Sequence, residues 1–122
     1  MPILETIARD ALADALNTTI NLGGAASLVF ETAGDVEVAT CLMSDPAFGA
    51  AASGVLTAAA IADDTDATGG LVNQASIYNG NAAKIMELSV AVSGSEVDMS
   101  NLTVSAGDAV SVSTLPVTMP AT

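Results

Sequence analysis

Positive charge is almost missing from this chain. Its 122 residues hold two Lys or Arg against fourteen Asp or Glu, a formal net charge of −12, and between Arg9 and Lys84 there is no cation at all. A nucleic-acid partner needs several phosphates neutralised by Lys or Arg, so two cations exclude a DNA- or RNA-binding groove. The same shortage disfavours an anionic membrane surface. Histidine is absent, which removes His-based triads and His-containing zinc sites. A single cysteine, Cys41, permits no disulfide within the chain and, without His, no Cys–His nucleophile. It lies in VATCLM, within a predicted strand, and reads as a buried small hydrophobe. Aromatics number three, Phe30, Phe48 and Tyr78, too few for a sugar-stacking platform. No apolar run approaches the roughly 18 residues of a membrane span, and the first residues lack a basic leader segment, so a cytoplasmic site of synthesis is expected.

Small side chains and β-type patterning fill the space that these absences leave. Apolar residues make up 51% of the chain, but many are Ala, so the expected core is thin. Over residues 1–17, Leu4, Ile7, Ala8, Ala11, Leu12, Ala15 and Leu16 recur at helical spacing, with Pro2 suited to a helix start. Asn17-Thr18-Thr19 and Gly23-Gly24 supply the stop and the following turn. The apolar stripe of this helix must cover either its own sheet or a neighbouring subunit.

After Gly24 the period becomes two. Strands are predicted over 27–32, 36–43, 55–62, 71–78, 83–92, 96–99, 102–104 and 109–113. Turns fall at Ala33-Gly34-Asp35, Asn79-Gly80-Asn81 and 105–108. Pro116 and Pro120 mark 115–119 as an edge strand or departing arm. The expected fold is mainly β: a single antiparallel β-sandwich, jelly-roll-like domain or small barrel with an N-terminal α-helix. The expected division is a helix or arm over 1–24 and a β domain over 25–122, with a C-terminal extension from about residue 115.

Reactive chemistry is sparse. Neither GxGxxG nor a P-loop pattern occurs, and no cofactor is expected. Carboxylates are abundant, so pairs of them carry little information, and most sit in turns, where Asp is favoured for backbone reasons. Asp64, Asp66 and Thr68, followed by Gly69, match the first half of an EF-hand loop and form a weak calcium or magnesium candidate. The twelfth position, where a bidentate Glu belongs, is Ala75, and a solvated acidic loop is the simpler reading. Catalytic residues are not expected. Asn17-Thr18-Thr19 and Asn101-Leu102-Thr103 fit the glycosylation acceptor pattern, which is common by chance.

Three segments in order resemble a family of small acidic virion proteins of tailed bacteriophages. They are MPILETIARDALADAL, VATCLMSDPAFGAAASGVLTAAAIADDTDATGG and LTVSAGDAVSVSTLPVTMP, and SDPAFGAA with the ATGG loop is the most specific part. Cys41 and NAAKIMELSV do not contribute to the resemblance. It implies a head decoration, or cement, protein on the outer capsid surface, made in the host cytoplasm. Its partners would be the major capsid protein and further copies of itself, as a trimer. Such a role uses arms with small side chains and many symmetric weak contacts. The expected contact residues are Leu4, Ile7, Ala11, Pro46, Phe48, Leu115, Pro116, Val117 and Met119. Residues 47–60 equally fit an Ala-rich strand and loop within one fold.

Two alternatives stay open. A tail or fibre component of the virion, with an adaptor or host-recognition role, predicts few copies at the tail. A calcium- or sugar-binding module unconnected with virions predicts heat on Ca²⁺ titration that is lost in Asp64→Ala.

Overall fold

The computed structural model describes residues 2–94, 97–99, 101–112 and 115–119. It is mainly β with one N-terminal helix, α1 (Thr6–Ile20). The strands are β1 (Ser27–Glu31), β2 (Glu37–Leu42), β3 (Val55–Thr57), β4 (Gly70–Leu71), β5 (Gln74–Tyr78), β6 (Lys84–Ala91), β7 (Val97–Asp98), β8 (Thr103–Val104) and β9 (Pro116–Thr118).

Five strands make the main sheet in the order β2-β1-β5-β6-β7, curled into a half-barrel. Neighbours are antiparallel except for β6 and β7, which run parallel. Two antiparallel pairs, β3 with β9 and β4 with β8, stand beside it. The hairpins follow their turn residues. Asn79 accepts the amides of Asn81 and Ala83 through its side-chain oxygen, closing the β5–β6 turn. Asp35 takes the left-handed conformation in the β1–β2 turn, where Thr32 and Val36 close the backbone.

Alternation divides the sheet into two faces. Leu28 and Phe30 of β1, Ala39 and Cys41 of β2, Ala75 and Ile77 of β5 and Leu88 of β6 are buried in one core. Ala13 and Ile20 of the helix, Phe48, Leu56, Val104, Val110, Leu115 and Val117 complete it. Across β3 and β9, Leu56 pairs with Val117, which fastens the end of the described chain into the fold.

Several boundaries differ from expectation. The helix starts at Thr6 rather than Pro2, since residues 2–5 find no core to cover. It runs on to Ile20 because Ile20 is buried, while the hydroxyls of Thr18 and Thr19 donate back to Asp14 and Ala15 carbonyls at 3.1 Å. The strand expected over 55–62 ends at Thr57. Residues 71–78 form β4 and β5, separated at Val72 and Asn73. Residues 109–112 contribute only a single bridge, Val110 to Asp64, and Ser113 lies outside the described residues, as does Glu96. No helix among the described residues is long and apolar enough to cross a membrane.

Candidate functional site

The Ala/Gly/Ser tract lies within its own fold, held by the helix. Asp10, Asp14, Asn17 and Asn21 recur at i, i+4, i+7 and i+11, and therefore share one helix face. Their side chains read the main chain of residues 47–54. Asp10 accepts from the Gly54 amide at 2.6 Å and Asp14 from the Ala51 amide at 2.9 Å. Asn17 donates to the Phe48 carbonyl at 3.0 Å, and Asn21 accepts from the Ala47 amide at 2.8 Å. Small residues let the tract come close enough to be read in this way. Gly54 has φ 78°, and a Cβ there would meet the Arg9 guanidinium at 2.9 Å. The Arg9 guanidinium also donates to Thr6 Oγ1.

This polar attachment sets the rotation of the helix. Ala13 and Ile20 are buried and Leu16 is half-buried, whereas most of the expected apolar stripe faces outward. Ile7 is 83% exposed, Ile3 71% and Leu12 51%, with Ala11 and Ala15 exposed beside them. Of the expected contact residues, Ile7, Ala11, Pro46 and Pro116 lie on the surface, and Leu4 and Met119 are half-buried. Phe48, Leu115 and Val117 are buried in the chain's own core, which corrects their placement on a contact surface. The segment 115–119 is not a departing arm: β9 pairs with β3, and the Met119 amide donates to the Gly54 carbonyl at 2.8 Å. Residues 120–122 lie outside the described residues.

The acidic loop after residue 62 covers the outer edge of β2. The Ala62 amide donates to the Leu42 carbonyl, the Thr40 amide to Asp64 Oδ2, and the Gly69 amide to the Val38 carbonyl, at 2.8, 2.8 and 3.1 Å. Every second residue of the edge is thereby satisfied, which blunts it against strand addition. On its other side the loop is bonded to residues 107–110. The residues of the weak metal candidate are used within the fold. Both Asp64 oxygens accept backbone amides, from Thr40 and Asp66, and the Thr68 hydroxyl donates to Glu37 at 2.6 Å. Among the described residues no group of three or more His, Cys, Asp or Glu side chains is placed to hold a metal ion.

A buried polar cluster occupies the other face of the main sheet. Glu31, 2% exposed, accepts from the hydroxyls of Ser76 and Tyr78, both at 2.6 Å, and from Gln74 at 3.2 Å. Lys84 Nζ stands 3.5 Å from Glu31, 3.7 Å from Asp35 and 3.4 Å from Glu87, and 5.7 Å from the centre of the Tyr78 ring. Burial alone would raise the Glu31 carboxyl, but these hydrogen bonds and the Lys84 charge outweigh it and hold the pKa below the ordinary glutamate value. Burial would lower Lys84; Glu31, Asp35, Tyr78 and Glu87 outweigh it and hold the pKa above the ordinary lysine value. The Glu31 hydrogen bond, with burial, raises Tyr78. A permanently charged acid and base at neutral pH make a fastener rather than an acid–base catalyst.

Sequence reasoning missed this cluster. Its signal was a lone Glu ending the apolar run SLVF, facing the Gln-x-Ser-x-Tyr alternation of residues 74–78. Cys41 is buried, with Sγ 3.5 Å from the Val110 carbonyl, and burial pushes its thiol pKa up. An open cavity of about 400 Å³ lies between β7, β8 and residues 108–111, lined in part by Asp98, Asn101, Thr103, Asp108 and Ser111. Asn101 and Asp108 use side-chain oxygens there to accept the Thr103 and Ser105 amides. No protein family, curated protein or solved structure matches this chain.

Proposed function

We propose that the chain is a structural virion protein that binds the outer surface of a bacteriophage capsid and stabilises the shell, without enzymatic activity. The observation that carries this reading is the division of labour between polar and apolar side chains. Asp10, Asp14, Asp64 and Glu31 are engaged in holding the fold, while Ile3, Ile7, Leu12, Leu22, Val36, Leu42, Leu71 and Val92 stand in solvent. Exposed apolar side chains suit contact with another protein where they adjoin, as Ile7, Ala11 and Ala15 do on one helix face. A net charge of −12 suits an outer face that does not adsorb nucleic acid. The resemblance of its three segments to small phage virion proteins names the setting. The major capsid protein is the partner, and copies that are monomers in solution gather as a trimer only on the shell, where its subunits meet.

The open polar cavity beside Asp98 and Asp108 favours a second reading, a tail or fibre component with a recognition role. Quantitative mass spectrometry of purified particles separates the two. Many copies per particle, in a fixed ratio to the major shell protein, support decoration. A few copies per particle support the tail reading, and absence from particles removes both.

A further inference from the structure

We propose that the outward apolar stripe of α1 inserts into an apolar groove, rimmed by Lys and Arg, on a different protein rather than on a second copy of this chain. The inference rests on the reading of the chain as a virion surface protein and names how that surface is engaged.

The rotation of the helix is the first observation. An amphipathic helix ordinarily turns its apolar stripe toward the core. Here four polar side chains on one face are bonded to main-chain groups of residues 47–54, so the helix is locked with Ile7, Ala11 and Ala15 outward and Leu12 at the margin. Just before the helix, Ile3 extends the exposed apolar surface. Ile7, Ala11 and Ala15, at i, i+4 and i+8, stand one above another on a single helix face, as helix-in-groove recognition requires.

Area and charge identify the occupant. These five side chains offer on the order of 400 Å², about half of the ~800 Å² that each partner gives to a standard stable interface. Two such stripes laid together fall short of a stable dimer. A concave groove wraps the helix and collects the flanks and residues 2–5 as well. Each copy also carries −12, so two copies repel. Glu5 just before the helix and Asp14 on it are exposed, and the chain has only two cations, Arg9, which is half-buried, and Lys84, which is paired with Glu31. The basic rim therefore has to come from another protein.

The test compares wild-type chain, Ile7→Glu and Val92→Glu in particles grown in the producing cells, with copies per particle counted by mass spectrometry. Sedimentation of each purified chain accompanies the count. Ile7 and Val92 are both largely exposed, so circular dichroism melts of all three proteins should coincide. The expected result is wild-type and Val92→Glu at equal copy number, Ile7→Glu reduced about tenfold or more, and all three chains sedimenting as monomers. Equal incorporation of Ile7→Glu overturns the inference and leaves the virion reading standing. A wild-type dimer dissolved by Ile7→Glu overturns it in favour of a second copy. Absence of the wild-type chain from particles removes the virion reading and the inference with it.

Discussion

Replacing Glu31 by Gln keeps the shape of the side chain and removes its charge, leaving Lys84 above a neutral partner. The expected cost at neutral pH is about 1.5–3 kcal/mol, the range for hydrogen bonds to a charged group. The folded pKa of Glu31 lies below its unfolded value. Its contribution is therefore present above about pH 4.5, the ordinary glutamate value, and is lost as pH falls through the folded value. Urea titrations from pH 7 to pH 3 should show wild type losing this increment and Glu31→Gln lacking that part of the slope; identical slopes would contradict the assignment. Exposed carboxylates lose their mutual repulsion in the same range, and the difference between the two proteins cancels that effect. Gly80 gives a second test. A Cβ there would land on the Gly23 carbonyl, while the Gly80 amide donates to the Leu22 carbonyl at 2.9 Å. Gly80→Ala should cost about 1–3 kcal/mol through that overlap, read as a lower denaturation midpoint with an unchanged slope.

The loop after residue 62 shows how an element's role departs from its composition. Its Asp and Thr content offered a weak cation candidate beside a solvated acidic loop, but its amides and the Asp64 side chain close the β2 edge. Asp64→Ala should leave calcium titrations without heat, as in wild type, and should speed hydrogen exchange of the Thr40 amide about fivefold, equivalent to about 1 kcal/mol. Unchanged exchange at Thr40 would contradict the edge-cover role. The strands of the two hairpins were legible because alternation and the turns at Gly34-Asp35 and Asn79-Gly80 are local signals. The helix was legible as a helix, but not in its orientation. Periodicity reports that Ile7, Ala11 and Leu12 share a stripe; which face turns inward was decided by Asp10, Asp14, Asn17 and Asn21 meeting backbone groups more than 25 residues away. Phe48, Leu115 and Val117 were assigned to contacts for a related reason. A large apolar side chain in a small-residue tract or tail looks available until the pairing of β3 with β9 places it in the core.

Charge acts over the whole molecule. With −12 on so small a domain, the folded state carries self-repulsion that salt screens over a Debye length of about 8–10 Å near physiological ionic strength. Thermal midpoints should rise as NaCl is added at neutral pH, and a falling midpoint would show that screening of the Lys84 cluster outweighs relief of repulsion. The same charge makes a basic surface on any protein partner the natural complement and disfavours self-association in solution, and in the proposed reading the apolar stripe of α1 is the contact. The most direct measurement is electron cryomicroscopy of purified particles at a resolution that traces α1. The account predicts density for many copies on the outer shell, with Ile7 and Ala11 seated in a groove of the shell protein and the 47–54 tract enclosed in the chain's own fold. Copies confined to the tail, or shell-bound copies with the stripe still in solvent, would contradict it.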